Sequence, residues 1–378
     1  MREPRIAIVH DGLATAGGGG GAERVLETLR TMLPDAPIFT TVYSKSRMPD
    51  MMREWDIRPT FLQQFPGGPD AYMRYFPLFP CAAESLDLRG FDVVISCSHA
   101  VAKGVITAPG SHHVCMCYSP LRYVWDMYQE YREVETLSNF QRAMLPFLMH
   151  YMRAWDTFSS AGVDEFVAIS HYVKRRIEKY YRRRARVIYP PVRMLKSVGQ
   201  PSDYYLVVSR LVAYKRVDLV VEAFNRLGWP LVVIGDGKER QALEHKAGPN
   251  IQFLGRRSDE EVRTYFSGAR GFVFPGIEDF GIAPVEAMSA GVPVVAFGRG
   301  GAKETVLEGK TGVLFDKQSV ESLLEALERH SASVFDRKWI SRYSERFAEE
   351  RFKREWSVFL AERLVSMGFN SERLQESM

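Results

Sequence analysis

"FPGIEDFGIAPVEAMSAGVPVVA" (residues 274–296) is the stretch on which the reading of the whole chain turns. Two glutamates, Glu278 and Glu286, stand eight positions apart in it, between two apolar runs. They do not share a helical face: eight steps of about 100° separate them in angle, and Pro284 would stop a helix running through from Glu278. The spacing predicts strand, turn, helix, then a second strand. Glu278 falls on the turn and Glu286 in the first helical turn.

Working outward, the same alternation runs through most of the chain. Behind and ahead of that stretch lie "YYLVVSR" (204–210), "PLVVIGDG" (230–237), "NIQFLG" (250–255), "GFVFPG" (271–276), "VPVVAFG" (292–298) and "TGVLFD" (311–316), with helix-period segments between them. An earlier cycle contains "RIAIVH" (5–10), "PIFTTV" (37–42), "FDVVISCS" (91–98), "HHVCMCYS" (112–119) and "DEFVAIS" (164–170). In "AERVLETLRTML", Val25, Leu26, Leu29 and Leu33 share one helical face. Continuous apolar runs separated by helices point to parallel, doubly wound α/β sheets. Residues 120–160, aromatic, Met-rich and mostly helical, read as an insertion in that plan. "VIYPPV" (187–192) and the polar stretch behind it mark a boundary. The expected division is an N-terminal Rossmann-like domain (1–192), a C-terminal one (193–345) and a terminal helical segment (346–378) packing back on the first domain. "WISRYSERFAEERFKREWSVFLAERL" (339–364) reads as amphipathic helix. Two such domains facing each other would place a ligand at a cleft lined by strand C-termini.

Composition bounds the function. A length of 378 residues is too great for one ordinary core, and 46% apolar with 25% charged residues is globular usage. A net charge of +4 gives no support to a nucleic-acid partner. Cys81, Cys97, Cys115 and Cys117 form no disulfide-type framework, which fits a reducing cytoplasm. The N-terminal apolar run is too short for a signal peptide, and no stretch approaches the roughly 20 apolar residues of a membrane span. Any membrane contact is therefore expected to be peripheral, on the cytoplasmic face.

The chemistry-bearing residues cluster at predicted strand ends. In "SRLVAYKR", Arg210 and Lys215 follow a strand, and a planar fork beside a point charge matches a diphosphate. The amides near Gly281 and Ile282 lie at a helix N-terminus, an anion site with partial positive charge. Glu286 suits hydroxyl hydrogen bonds better than phosphate, and Glu278 can accept from a second polyol. Two carboxylates flanking an anion site fit a ligand with sugars on both sides of a diphosphate. In the first domain "TAGGGGGAERV" follows strand one and opens a helix, though its contiguous glycines make no GxGxxG fingerprint.

Together these features resemble the retaining GT-B glycosyltransferases of the GT4 family, over nearly the whole chain and most closely over 204–316. Its Glu-x7-Glu motif corresponds to "EDFGIAPVE", Glu278 to Glu286. The resemblance implies that Arg210 and Lys215 contact the donor diphosphate, with Arg210, Lys215 and Glu278 the catalytic set. It implies that Glu278 holds the donor hexose and Glu286 the ribose, with Phe280, Gly281 and Ile282 near sugar and phosphate. "FLGRR" places Gly255 and Arg256 beside the base, and Gly20 and Gly21 near the reaction centre. "CMCYSPLRYVWDMY" (115–128) resembles a segment of bacterial O-antigen and exopolysaccharide mannosyltransferases, in which many relatives carry His where this chain has Tyr118. That likeness implies GDP-mannose as donor and a saccharide acceptor, lipid-diphosphate-linked, with His99, Tyr118, Arg122 and Asp126 on the acceptor side.

No DxD occurs in the sequence, so no metal site and no cofactor are expected. His113, Cys115 and Cys117 fall on one strand face, a spacing poor for closing a tetrahedral metal site. "HYVKRRIEKYYRRRAR" (171–186) holds eight Lys or Arg against one Glu, and reads as a basic helix with Val173, Ile177 and Tyr180 as its apolar stripe. It serves either as a solvated face or, through Arg182, Arg183 and Arg184, as a contact for an anionic membrane surface. The aromatic segments 61–80 and 120–155 read chiefly as packed core. Two further functions fit less well: a hexosyltransferase using a UDP-sugar, and a Rossmann-type oxidoreductase or epimerase. The latter would need an acid closing strand two, which "PIFTTVYSK" lacks. A non-catalytic sugar-nucleotide binder would keep the anion site but tolerate loss of Lys215.

Overall fold

Strands buried on both faces organise the molecule. The computed structural model describes residues 2–13, 20–129, 138–195 and 202–371. The chain forms two units, Met1–Pro190 with Phe352–Met378, and Pro191–Arg351.

The first unit runs β1 (Ile6–His10), α1 (Gly21–Met32), β2 (Ile38–Thr40), β3 (Ile57–Pro59), α2 (Phe79–Glu84), β4 (Val93–Ser98) and β5 (His112–Cys117). It continues through α3 (Asn139–Ser159), β6 (Glu165–Ala168), α4 (His171–Tyr181) and β7 (Ala185–Val187). Its parallel sheet has the order β3-β2-β1-β4-β5-β6-β7. Ala7, Ile8, Val94, Ile95, Val114 and Met116 are fully buried, so the central strands read as continuous apolar runs. Residues 139–159 are no insertion: α3 is the crossover from β5 to β6, opened by a capping box in which Ser138 and Gln141 exchange bonds.

The second unit runs β8 (Tyr205–Val208), α5 (Val217–Leu227), β9 (Leu231–Ile234), α6 (Arg240–Lys246), β10 (Ile251–Gly255), α7 (Asp259–Gly268) and β11 (Gly271–Phe274). Then follow α8 (Ile282–Ser289), β12 (Val294–Phe297), α9 (Ala302–Thr305), β13 (Gly312–Phe315), α10 (Val320–Ala332) and α11 (Arg337–Ser344). Its sheet order is β10-β9-β8-β11-β12-β13, all parallel.

Two further elements differ from expectation. The tail is not one helix: α11 ends at Ser344, a 3-10 turn covers Glu345–Phe347, and α12 spans Glu349–Ser366. Ala348 is extended, and the Phe347 carbonyl accepts from the Val192 amide at 3.0 Å, an interaction periodicity cannot foresee. On α12, Phe352, Trp356 and Phe359 are buried, and Arg363 pairs with Glu165 of β6. The basic run is likewise broken. α4 stops at Tyr181, Arg182 takes a left-handed φ of 57°, and the remainder enters β7. Tyr181, not Tyr180, completes the buried stripe, and Arg176 is buried with it.

Candidate active site

In each sheet the chain order reverses once, and a doubly wound sheet binds ligands outside the strand C-termini at that reversal. In the second unit the reversal lies between β8 and β11. The loop leaving β8 is pinned by its neighbour: the Ser209 and Leu211 amides donate to Ile234 and Asp236 carbonyls at 3.0 and 2.9 Å. A 3-10 turn, Ala213–Lys215, then delivers Lys215 against Gly276 of the loop leaving β11, where an added Cβ would lie 3.2 Å from the Lys215 carbonyl oxygen. Lys215 Nζ forms an ion pair with Glu278 Oε1, the two side chains being 17% and 19% exposed. The Glu278 backbone is clamped from behind. Its carbonyl accepts from Gly301 N at 2.8 Å, and Gly300, at φ +68°, approaches so closely that a Cβ would sit 2.3 Å from that oxygen.

Gly281 caps α8 with φ +87°, a left-handed turn few side chains tolerate, and no side chain caps the helix. The amides of Ile282 and Ala283 therefore supply the partial positive charge of a helix start beside the Lys215–Glu278 pair. Glu286 is the fifth helical residue, in the second turn rather than the first, because α8 begins at Ile282. It is half-buried. Phe280 faces the core, its ring 5.6 Å from Phe347, so only its backbone borders the loop surface. Arg210 is exposed, and no hydrogen bond or ion pair among the described residues engages its guanidinium. Gly255 closes β10 at φ +69° with its carbonyl bound by Gly235 N, and Arg256 follows it, exposed.

The first unit reverses between β1 and β4, and there lies a constellation the sequence reading only half caught. The buried Asp11 carboxylate accepts the amides of His99, Ala100, Val101 and Ala102 at 2.5–2.8 Å, and His99 Nδ1 lies 3.1 Å from its Oδ2. Burial opposes ionisation of Asp11, but the charge of His99 and these amides more than offset it and hold the carboxyl below its ordinary value. His99 is the most exposed member and its ring runs near-parallel to Tyr118, centroids 6.4 Å apart. His10 sits beneath both at 6.5 Å, buried, and burial lowers its basicity. Its Nδ1 is 3.4 Å from Gly12 N, and its Nε2 has no hydrogen-bond partner among the described residues. Tyr118 donates to Ala22 O at 3.3 Å, and burial pushes its hydroxyl well above the usual phenol range, so it serves as a donor and not as a base. Gly20 caps α1 and Gly21 opens it; Glu23 folds back so that a Cβ on Gly20 would meet its Oε2 at 2.5 Å.

Other candidates have structural partners. Asp126 accepts from Tyr180 Oη at 2.6 Å and pairs with Arg176, while Arg122 nearby is half-buried. His113 is pinned by Ser96 and Gly162, no group of three potential metal ligands occurs among the described residues, and the four cysteines are free. Of the three arginines read as a lipid contact, Arg183 is tied to the carbonyls of Ser160, Val163 and Asp164. His10 and Asp11 were legible only as the end of "RIAIVHD", and Gly300–Gly301 only as a Gly pair after a strand.

Comparison with known proteins bears on both halves. The family model for Glycosyltransferase Family 4 matches residues 19–194, and that for Glycosyl transferases group 1 matches residues 196–346. An uncharacterized glycosyltransferase of Methanocaldococcus jannaschii is 30% identical over 177 residues, 45% of this chain and 50% of that protein. A GDP-mannose-dependent alpha-(1-6)-phosphatidylinositol monomannoside mannosyltransferase of Mycobacterium tuberculosis is 33% identical over 138 residues, 32% of this chain and 36% of that one. The chain thus spans half or less of the length of these curated relatives. Sucrose-phosphate synthase from Thermosynechococcus elongatus superposes with a TM-score of 0.70 at 18% identity, over 97% of this chain and 100% of that chain. Anabaena HepE in complex with UDP gives 0.66 at 15%, over 94% and 100%. At such identities the likeness concerns the fold, which is GT-B.

Proposed function

The chain belongs to the family 4 glycosyltransferases, and from that premise we propose that it transfers a hexose from a nucleotide-sugar to a saccharide hydroxyl. The observation that carries this reading is the Lys215–Glu278 ion pair beside the uncapped start of α8, at the reversal between β8 and β11. Glu278 holds the lysine in place through this pair. A donor diphosphate would take over the Lys215 charge, with Arg210 and the α8 amides as further donors, and would free the Glu278 carboxylate for hexose hydroxyls. Glu286 would accept from the ribose.

Mannose from GDP-mannose is the donor we favour, because curated mannosyltransferases are among the relatives. In the transfer, the acceptor oxygen bonds to the sugar C1 as the C1–phosphate oxygen bond breaks, on the same face. The acceptor proton passes to the departing phosphate. Lys215 and Arg210 stabilise the charge that develops there, so no metal ion is required. His99, oriented by Asp11, would hydrogen-bond the acceptor, which we take to be carried on a lipid diphosphate at the cytoplasmic face of a membrane.

The test is a thermal-shift and product panel of GDP-mannose and UDP-hexoses, with and without EDTA. A true donor stabilises the fold by mass action. GDP-mannose is expected to raise the midpoint and to yield GDP and a glycosylated acceptor in EDTA. A shift with UDP-hexoses alone would reassign the donor. Activity that requires added Mg²⁺ or Mn²⁺ would overturn the metal-free account.

A further inference from the structure

Helix α3 is apolar on two opposite sides, and only one of them is packed. Met149, Met152 and Asp156 face inward. On the other side Phe140, Met144, Phe147, Tyr151 and Phe158 form one row, with Phe140, Phe147 and Phe158 exposed by 75%, 71% and 85%. At about 100° per residue these five positions stay within roughly 40° of one line, and at 1.5 Å rise the row runs about 27 Å. Aromatic side chains offer about 150–250 Å² each, so the row amounts to several hundred Å², beyond what scattered surface residues produce. A core-facing role was the sequence expectation for this segment, and the packed side satisfies it; the outward row is surplus.

Charge selects the partner. The one acid of α3, Asp156, is buried and ion-paired with Lys103, while Glu84 of α2, beside the outward row, accepts from Trp155 Nε1 at 2.6 Å. Helix α4 packs beside α3, Tyr181 donating to Asp156 at 2.9 Å, and presents Arg175 and Lys179 to solvent with Glu178 its sole acid. β5, β6 and β7 are successive parallel neighbours, so right-handed crossovers put α3 and α4 on one face of the sheet. A two-fold contact between copies would set these cations against their own kind with few acids to meet them. An anionic lipid surface meets both features: apolar side chains enter the headgroup–acyl boundary and cations meet phosphates. No described helix is long and apolar enough to cross a membrane.

We propose that the α3–α4 face of the first unit is an interfacial docking surface for an anionic bilayer, with the Phe140–Phe158 row inserted. The test is sedimentation of the full chain with phosphatidylcholine vesicles, with and without one-quarter phosphatidylglycerol. Wild type is expected to bind the anionic vesicles, and Phe140→Ser/Phe147→Ser/Phe158→Ser to bind at least about tenfold more weakly with an unchanged thermal midpoint, since binding scales with buried apolar area. Arg175→Gln/Lys179→Gln should lose binding mainly at low salt. Wild type left in the supernatant with both vesicles overturns the proposal, as does a triple variant that sediments like wild type. A dimer seen by light scattering, dissolved by the triple variant in a chain that ignores vesicles, would assign the face to a second copy and overturn it too. Vesicle binding is read without donor or acceptor, so it stands or falls apart from the transfer reaction.

Discussion

Lys215 and Glu278 are paired by charge although they leave different strands: Lys215 follows β8, Glu278 follows β11, and those strands are neighbours only because the chain order reverses between them. Each residue is therefore both a ligand group and the other's counter-ion. Lys215→Ala is expected to cost transfer roughly 2–4 kcal/mol, by analogy with a lost oxyanion donor. A partly exposed pair contributes little to folding, about 1 kcal/mol or less. In a double-variant cycle with Glu278→Gln the two losses should be well short of additive. Transfer kinetics and thermal midpoints on the three variants check this, and additive losses would mean the pair is incidental.

His99 and Asp11 should separate into acceptor and scaffold roles. His99→Gln alters a half-buried side chain at the rim of this cluster, so the fold and donor affinity are expected to hold while the response to acceptor concentration weakens. Asp11→Asn removes a charged acceptor from four backbone amides and is expected to lower stability by about 1–3 kcal/mol. Acceptor saturation curves and chemical unfolding distinguish them. An unchanged acceptor response in His99→Gln would remove this site from the reaction.

Much of this was legible in sequence where burial on both faces leaves an uninterrupted apolar run, as in "YLVV", "LVVI" and "VVAF". β3 and β7 escaped because "IRP" and "ARV" are three residues long and carry arginine or proline. Motif and spacing named Lys215, Glu278 and Glu286, but the ion pair depends on strand order, which no local pattern encodes. His10 read as the last residue of a strand, and its burial beneath His99 and Tyr118 comes from packing. The α3 row was misread as core because a helix apolar on two sides gives no sign of which side will be covered.

Stability should fall in mild acid. Burial holds His113 at about 4, and burial with the Arg270 charge holds His330 at about 4, against an ordinary histidine value of about 6.5. The unfolded chain takes up these protons first as pH drops, so their contribution is complete above about 6.5 and is lost on descending toward about 4. Urea midpoints measured from pH 7.5 to 4.5 should decline, and His330→Gln should make the decline shallower. A flat or rising profile would contradict this assignment.

The central claim, a nucleotide-sugar held with its hexose at Glu278 and its ribose at Glu286, is tested most directly by titrating GDP calorimetrically into Glu278→Gln and Glu286→Gln and assaying transfer by both. Glu286→Gln weakens a charged hydrogen bond to a part of the donor that does not react, so GDP affinity is expected to fall by about 1.5–3 kcal/mol. Glu278→Gln removes the carboxylate that would meet the transferred sugar and also releases Lys215 from its counter-ion, so GDP should bind at least as well as before while transfer falls steeply. Loss of GDP affinity in Glu278→Gln with affinity kept in Glu286→Gln would contradict the account.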